Sequence, residues 1–177
     1  MEQIVIISGS IRKRSQTLKI SKYLHNFILE KYDYPTVLVD LKKYNFPIFN
    51  ERFHYIENPT AEQIEFRNII NDASHIIIVC PAYNLSLPAA VKNIIDFLTE
   101  EWKGKIVGFT TISEGTFGAK NVWEDLSKIM THLKASPIET GILMPSVQNY
   151  FDENEAIADP ISMEKHADAF VKKLVSD

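Results

Sequence analysis

The chain has 177 residues, 45% of them hydrophobic, which suits one globular domain over residues 1–177 with a sizeable buried core. A formal net charge of −4 argues against a general nucleic-acid binder, which needs a basic face, and no apolar run is long enough to span a bilayer. The single cysteine, Cys80, rules out an internal disulfide and cannot alone hold an iron–sulfur cluster; with no secretory pattern ahead of the first apolar run, a cytoplasmic protein is expected.

Ile4–Ile7 is a β-branched apolar run that predicts a buried strand. From Ser15 to about Lys31, Leu18, Tyr23, Leu24, Phe27 and Ile28 recur at helical spacing, and the Ser15 hydroxyl is placed to cap the helix. Thr36–Leu41 returns to a strand pattern, and residues 41–59 form a long aromatic-rich connection containing Pro47. Thr60–Asp72 predicts a helix with Ile64, Phe66, Ile69 and Ile70 on its apolar side. "HIIIVC", His75–Cys80, predicts another buried strand, stopped by Pro81, and Pro88 suits the first turn of a helix running to about Thr99. After a turn at Gly104, Lys105–Ile112 predicts a strand, and a helix follows from about Phe117 to Leu133. "SPIETGILMP" predicts a fifth strand, and Asp152–Leu174 a terminal helix broken or kinked at Pro160.

Strands apolar on both faces, alternating with helices throughout, predict an α/β fold: a doubly wound parallel sheet of five strands with helices on both sides. Ligands of such sheets sit beyond the carboxyl ends of the strands. That singles out the loops Ser8–Arg14, Pro81–Leu87 and Ser113–Gly118.

The first of these loops gathers the hydroxyls of Ser8, Ser10, Ser15 and Thr17, the cation Arg12 and a helix start. Open N–H groups and the helix dipole favour an anion there, and arginine adds a forked contact to phosphate. The same residues suit a solvated turn, since neither GxxxxGK[ST] nor GxGxxG is present. In "PAYNLSLP" two prolines stiffen the chain, Asn84 tolerates unusual turn angles, and Tyr83 offers a flat face with a hydroxyl, fit to lie beside a planar ring or simply to pack. "SEGTFG" permits close backbone approach, or is a plain turn. The five histidines lack metal-ligand spacing, so no metal site is expected, and Cys80 reads as core. Without GxSxG an α/β-hydrolase is excluded.

"GSIRKRSQT", Gly9–Thr17, resembles the GSxRxxSxN opening of the NADPH-dependent FMN reductase family, a flavodoxin-like group. "PAYNLSLPAAVKNIIDFL", Pro81–Leu98, resembles that family's second signature, roughly PEYNxSxPGxLKNAIDxL. The order and spacing of the two match, and the resemblance weakens after about Gly141. It implies a flavodoxin-like sheet of order 2-1-3-4-5 and a bound FMN. Ser10, Arg12, Ser15, Gln16 and Thr17 would hold the phosphate; Pro81, Ala82, Tyr83 and Asn84 would line the ring, with Ser86 supporting their loop; Ser113 and Gly115 would face it from the third loop. Thr17 stands where the family usually has Asn, Ala82 replaces its Glu, and Ala89 replaces a Gly. The implied activity is NAD(P)H oxidation through flavin to a small acceptor: a quinone, free flavin, azo compound or metal oxyanion. NADPH or NADH is the co-substrate, and the flavin, not a side chain, carries the chemistry. A flavodoxin-like FMN electron carrier is the alternative. The family also implies a homodimer or homotetramer, and the apolar, aromatic loop Tyr44–Tyr55 is fit to help form such a boundary or simply to pack on its own domain.

Overall fold

In the computed structural model, which describes residues 3–44 and 46–176, the first apolar run becomes β1 (Ile4–Ser8), buried along its whole length. It pairs in parallel with β2 (Thr36–Asp40) on one side and β3 (His75–Pro81) on the other, and β3 pairs in parallel with β4 (Ile106–Ile112). The order is 2-1-3-4-5, as expected. The fifth position, however, is filled by two short pieces. β5 (Ser136–Pro137) lies beside Ile106 and Val107, and β6 (Ile142–Met144) beside Thr110–Ile112. Pro137 has no N–H to continue a ladder. At Gly141 the backbone passes so close to β4 that a Cβ would lie 2.8 Å from the Phe109 carbonyl oxygen and 2.8 Å from Trp123 Nε1.

Among the described residues, five α-helices cover the sheet. α1 (Thr17–Tyr32) and α5 (Pro160–Ser176) pack on one face, where Ile20, Leu24, Ile28, Phe170 and Leu174 meet Ile4, Ile6, Ile77 and Val79. α2 (Ala61–Asp72), α3 (Ala89–Phe97) and α4 (Lys120–His132) cover the other, where Phe66, Ile70, Val91, Ile94, Leu126 and Met130 meet Val5, Ile7, Ile76 and Ile78. The alternation along β1 and β3 is the period-two pleat of a strand buried on both sides.

Local chemistry sets the helix ends. α2 opens with a reciprocal capping box: the Gln63 N–H donates to Thr60 Oγ1 and the Thr60 N–H to Gln63 Oε1. α4 starts at Lys120 rather than near Phe117, because Gly118 and Ala119 both adopt left-handed angles, φ 60° and 57°. Pro160 neither breaks nor kinks the terminal helix. It is the first residue of α5, where its missing N–H costs no helical bond. The residues ahead of it form a turn in which the Asp152 N–H donates to the Ala156 carbonyl. The two helices of one face are tied by Asp168 of α5, which accepts from Lys172 Nζ at 2.7 Å and Tyr32 Oη at 2.8 Å and pairs with Lys31 at 3.2 Å. These donors, Lys172 foremost, hold its carboxyl well below the usual carboxylate range.

Candidate functional site

β1, β3 and β4 run parallel, so the loops that follow them emerge at one edge of the sheet. They enclose a cleft of about 400 Å³, within the range of small-molecule sites. Along the first loop, Ser15 does accept a first-turn bond, from the Thr17 N–H at 3.1 Å, although α1 itself begins at Thr17. The start of α1 leaves first-turn N–H groups open and carries no acidic residue. Arg12 and Arg14 line the cleft beside it.

The second loop is a two-residue hairpin. Tyr83 and Ser86 exchange backbone hydrogen bonds at 2.9 and 3.1 Å across Asn84 and Leu85. Both central residues have left-handed φ, 51° and 65°. Asn accepts this readily, whereas a leucine loses about 1–2 kcal/mol. The first two loops are joined through Tyr83. Its Oη lies 2.6 Å from Ser10 Oγ, and the Arg12 guanidinium sits 5.5 Å from its ring centroid. The third loop is held from below and from the side. Buried Thr111 Oγ1 donates to the Gly118 carbonyl at 2.8 Å, and the Ser146 and Val147 N–H groups donate to the Gly115 and Ser113 carbonyls.

The sequence candidates Arg12, Ser15, Gln16, Thr17, Pro81, Ala82, Tyr83, Asn84, Ser113 and Gly115 all line this one cleft. Ser10 and Ser86 take other places. Ser10 is buried behind the lining, its oxygen shared between Tyr83 Oη and the Arg12 N–H, and Ser86 closes the hairpin. The motifs missed Arg14, Leu85, Glu114, Phe117, Asn121 and Val147, which also line it. Arg14 belongs to the charge cluster already visible, and Phe117 was expected to be helical. Asn121 and Val147 carry no signal, since they arrive from the first turn of α4 and from the segment after β6. Cys80 stays out of the chemistry: burial pushes its thiol up, and it donates to the Pro81 carbonyl. Among the described residues, no cluster of His, Cys, Asp or Glu is suited to a metal ion.

The donor set fits a phosphate-bearing, hydroxylated planar ligand. Two guanidinium groups, the hydroxyls of Ser15 and Thr17 and a helix start suit the phosphate. Gln16 Oε1 is buried without a hydrogen-bond partner at this cleft, an orphan that a ligand hydroxyl would satisfy.

A doubly wound parallel sheet, with such a loop at a helix start and two more loops at the same edge, defines a flavodoxin-like α/β protein. The chain belongs to the NADPH-dependent FMN reductase family, which it matches over residues 3–149. It is thus an NAD(P)H-dependent oxidoreductase that works with FMN. It is similar to the NAD(P)H-dependent FMN reductase of Saccharomyces cerevisiae, with 28% identity over 149 residues, 77% of each chain. It is 30% identical to the quinone reductase of Escherichia coli K12 over 85% of this chain and 81% of that one. A quinone reductase of Pseudomonas putida is 27% identical over 65% of this chain and 62% of its own length. The flavoenzyme NAD(P)H:(acceptor) oxidoreductase of Paracoccus denitrificans shares the fold, with a TM-score of 0.77 over 99% of this chain and 98% of that one at 21% identity.

Proposed function

We propose that the cleft holds FMN and that the protein passes electrons from NAD(P)H to a small organic acceptor. The observation that carries this reading is the convergence on one cleft of three loops from separate parts of the chain, the first two braced together through Ser10, Arg12 and Tyr83. Bound FMN supplies a ring that takes up a hydride and releases its electrons to a second substrate. Arg12 and Arg14 would neutralise the phosphate, with the Ser15 and Thr17 hydroxyls donating to it and Gln16 beside it, its Oε1 open to a ligand hydroxyl; Pro81, Ala82, Tyr83 and Asn84 would line the ring, with Ser86 fixing their hairpin, while Ser113 and Gly115 would face it. No side chain is required as acid or base.

The whole chain acts as a single FMN-binding domain, and it assembles as a homodimer or homotetramer. A groove lined by Ile11, Tyr44, Ile48 and Ile94, with Ile48 90% exposed, supports assembly. The protein works in the cytoplasm; among the described residues no helix is long and apolar enough to cross a membrane.

An absorption spectrum of the purified, FMN-reconstituted protein, followed by anaerobic NADPH addition, tests the reading. The expected result is a flavin spectrum that bleaches on NADPH addition. A protein that cannot be reconstituted with FMN overturns the reading. A flavin that stays oxidised with both NADPH and NADH makes the chain an electron carrier instead.

A further inference from the structure

Leu85 and Phe117 are 81% and 87% exposed, and both line the cleft. Single exposed apolar residues are ordinary on a protein surface. These two fall on one cavity, on the loops that follow the neighbouring strands β3 and β4. Leu85 is also held at φ 65°, where glycine or asparagine is at ease, so its backbone is strained while its side chain gains no packing in return. Strained residues that packing does not reward cluster where a ligand is handled. Phe117 is kept out of α4 by the left-handed Gly118 and Ala119 that follow it. The charged and hydroxyl groups suited to phosphate come from the first loop, whereas these two side chains add only apolar surface.

We propose that Leu85 and Phe117 form the contact surface for the electron acceptor's ring and select planar apolar acceptors of the quinone class over small hydrated ones. The proposal rests on the flavin-reductase reading above. Over one turnover NAD(P)H, a solvent proton and the quinone become NAD(P)+ and hydroquinone. The nicotinamide C–H bond breaks and yields two electrons and a proton; with the solvent proton, two O–H bonds form on the reduced ring.

The test uses the FMN-loaded parent, Leu85→Gly, Phe117→Ser and the double variant. Glycine relaxes the left-handed angle, so Leu85→Gly melts no lower than the parent. The ratio of kcat/KM for 1,4-naphthoquinone to that for ferricyanide should fall at least tenfold in the double variant. Naphthoquinone binding to the oxidised protein, read from the flavin absorbance, should weaken by a similar factor. FMN affinity should fall far less than naphthoquinone binding, and the single-turnover rate of reduction by saturating NADPH should fall less than the acceptor ratio, since the nicotinamide meets the same open surface in turn. An unchanged acceptor ratio or unchanged naphthoquinone binding overturns the proposal. So does a loss of FMN affinity or of NADPH reduction as large as the loss of naphthoquinone binding, which would assign the pair to cofactor or nicotinamide. A shift in assembly size on gel filtration overturns it too, by making the pair a subunit contact. If the parent itself fails to oxidise NAD(P)H, the functional reading falls and takes this proposal with it; a working parent with unaffected variants overturns this proposal alone.

Discussion

Arg12 lies over the ring of Tyr83 and lines the cleft, where the proposed reading pairs it with the FMN phosphate. Arg12→Ala should therefore weaken FMN about ten- to a hundredfold, from the roughly 1.5–3 kcal/mol of a charged hydrogen bond. Riboflavin, which lacks the phosphate, should bind variant and parent nearly alike. Arg14 is no control, because it lines the same cleft. Lys13, an exposed neighbour outside the lining, serves instead. Calorimetric titration of both flavins decides the matter, and an Arg12→Ala protein with parental FMN affinity would refute the assignment. Ser10 makes the opposite prediction. Its oxygen is engaged with Tyr83 at 2.6 Å behind the lining, so Ser10→Ala should loosen the ring-side loop and weaken FMN and riboflavin by the same small factor. A loss confined to FMN would return Ser10 to the phosphate.

Among the elements, the central strands were legible because Ile4–Ile7 and most of His75–Cys80 are apolar on both faces, which a doubly covered parallel sheet accommodates, whereas their order was implied by the resemblance of the two motifs. The two motif loops were singled out by their place after strand ends, and their role was legible only through their resemblance to the two signatures. The split fifth strand was not, because Gly141 is dictated by contact with Phe109 and Trp123, residues distant in sequence. The late start of α4 was hidden in the backbone angle of Ala119, a residue that gives no sign of adopting it. Gly141→Ala should accordingly cost about 1–3 kcal/mol as a lowered urea midpoint, since the added methyl meets the Phe109 backbone oxygen, which cannot give way, as well as the Trp123 indole. The tie between α1 and α5 predicts a pH dependence. Asp168 is held below its unfolded value of about 3.9, so its contribution is complete above about pH 5 and fades as pH falls through the folded value. Urea midpoints from pH 2 to 5 should fall more steeply for the parent than for Asp168→Asn. Parallel curves would mean that Lys31, Lys172 and Tyr32 do not favour the ionised carboxylate.

At the scale of the whole molecule, the sheet gathers its polar loops at one edge, while both faces are consumed by packing against helices. The cleft at that edge, about 400 Å³, has room for one ligand of ordinary size. Once FMN occupies it, NAD(P)H and the acceptor cannot also lie there side by side, and each must use the same open surface in turn. Steady-state kinetics should therefore give parallel double-reciprocal lines, with the acceptor inhibiting at high concentration by competing with NAD(P)H for the oxidised protein. The same pattern should hold for acceptors that differ in size, because the constraint lies in the cleft and not in any one substrate. Initial rates over a grid of NAD(P)H and acceptor concentrations, repeated with a quinone and with ferricyanide, measure this directly. Lines that intersect for both acceptors would show two separate sites, and a second binding surface would then have to be sought away from the edge where the three loops meet.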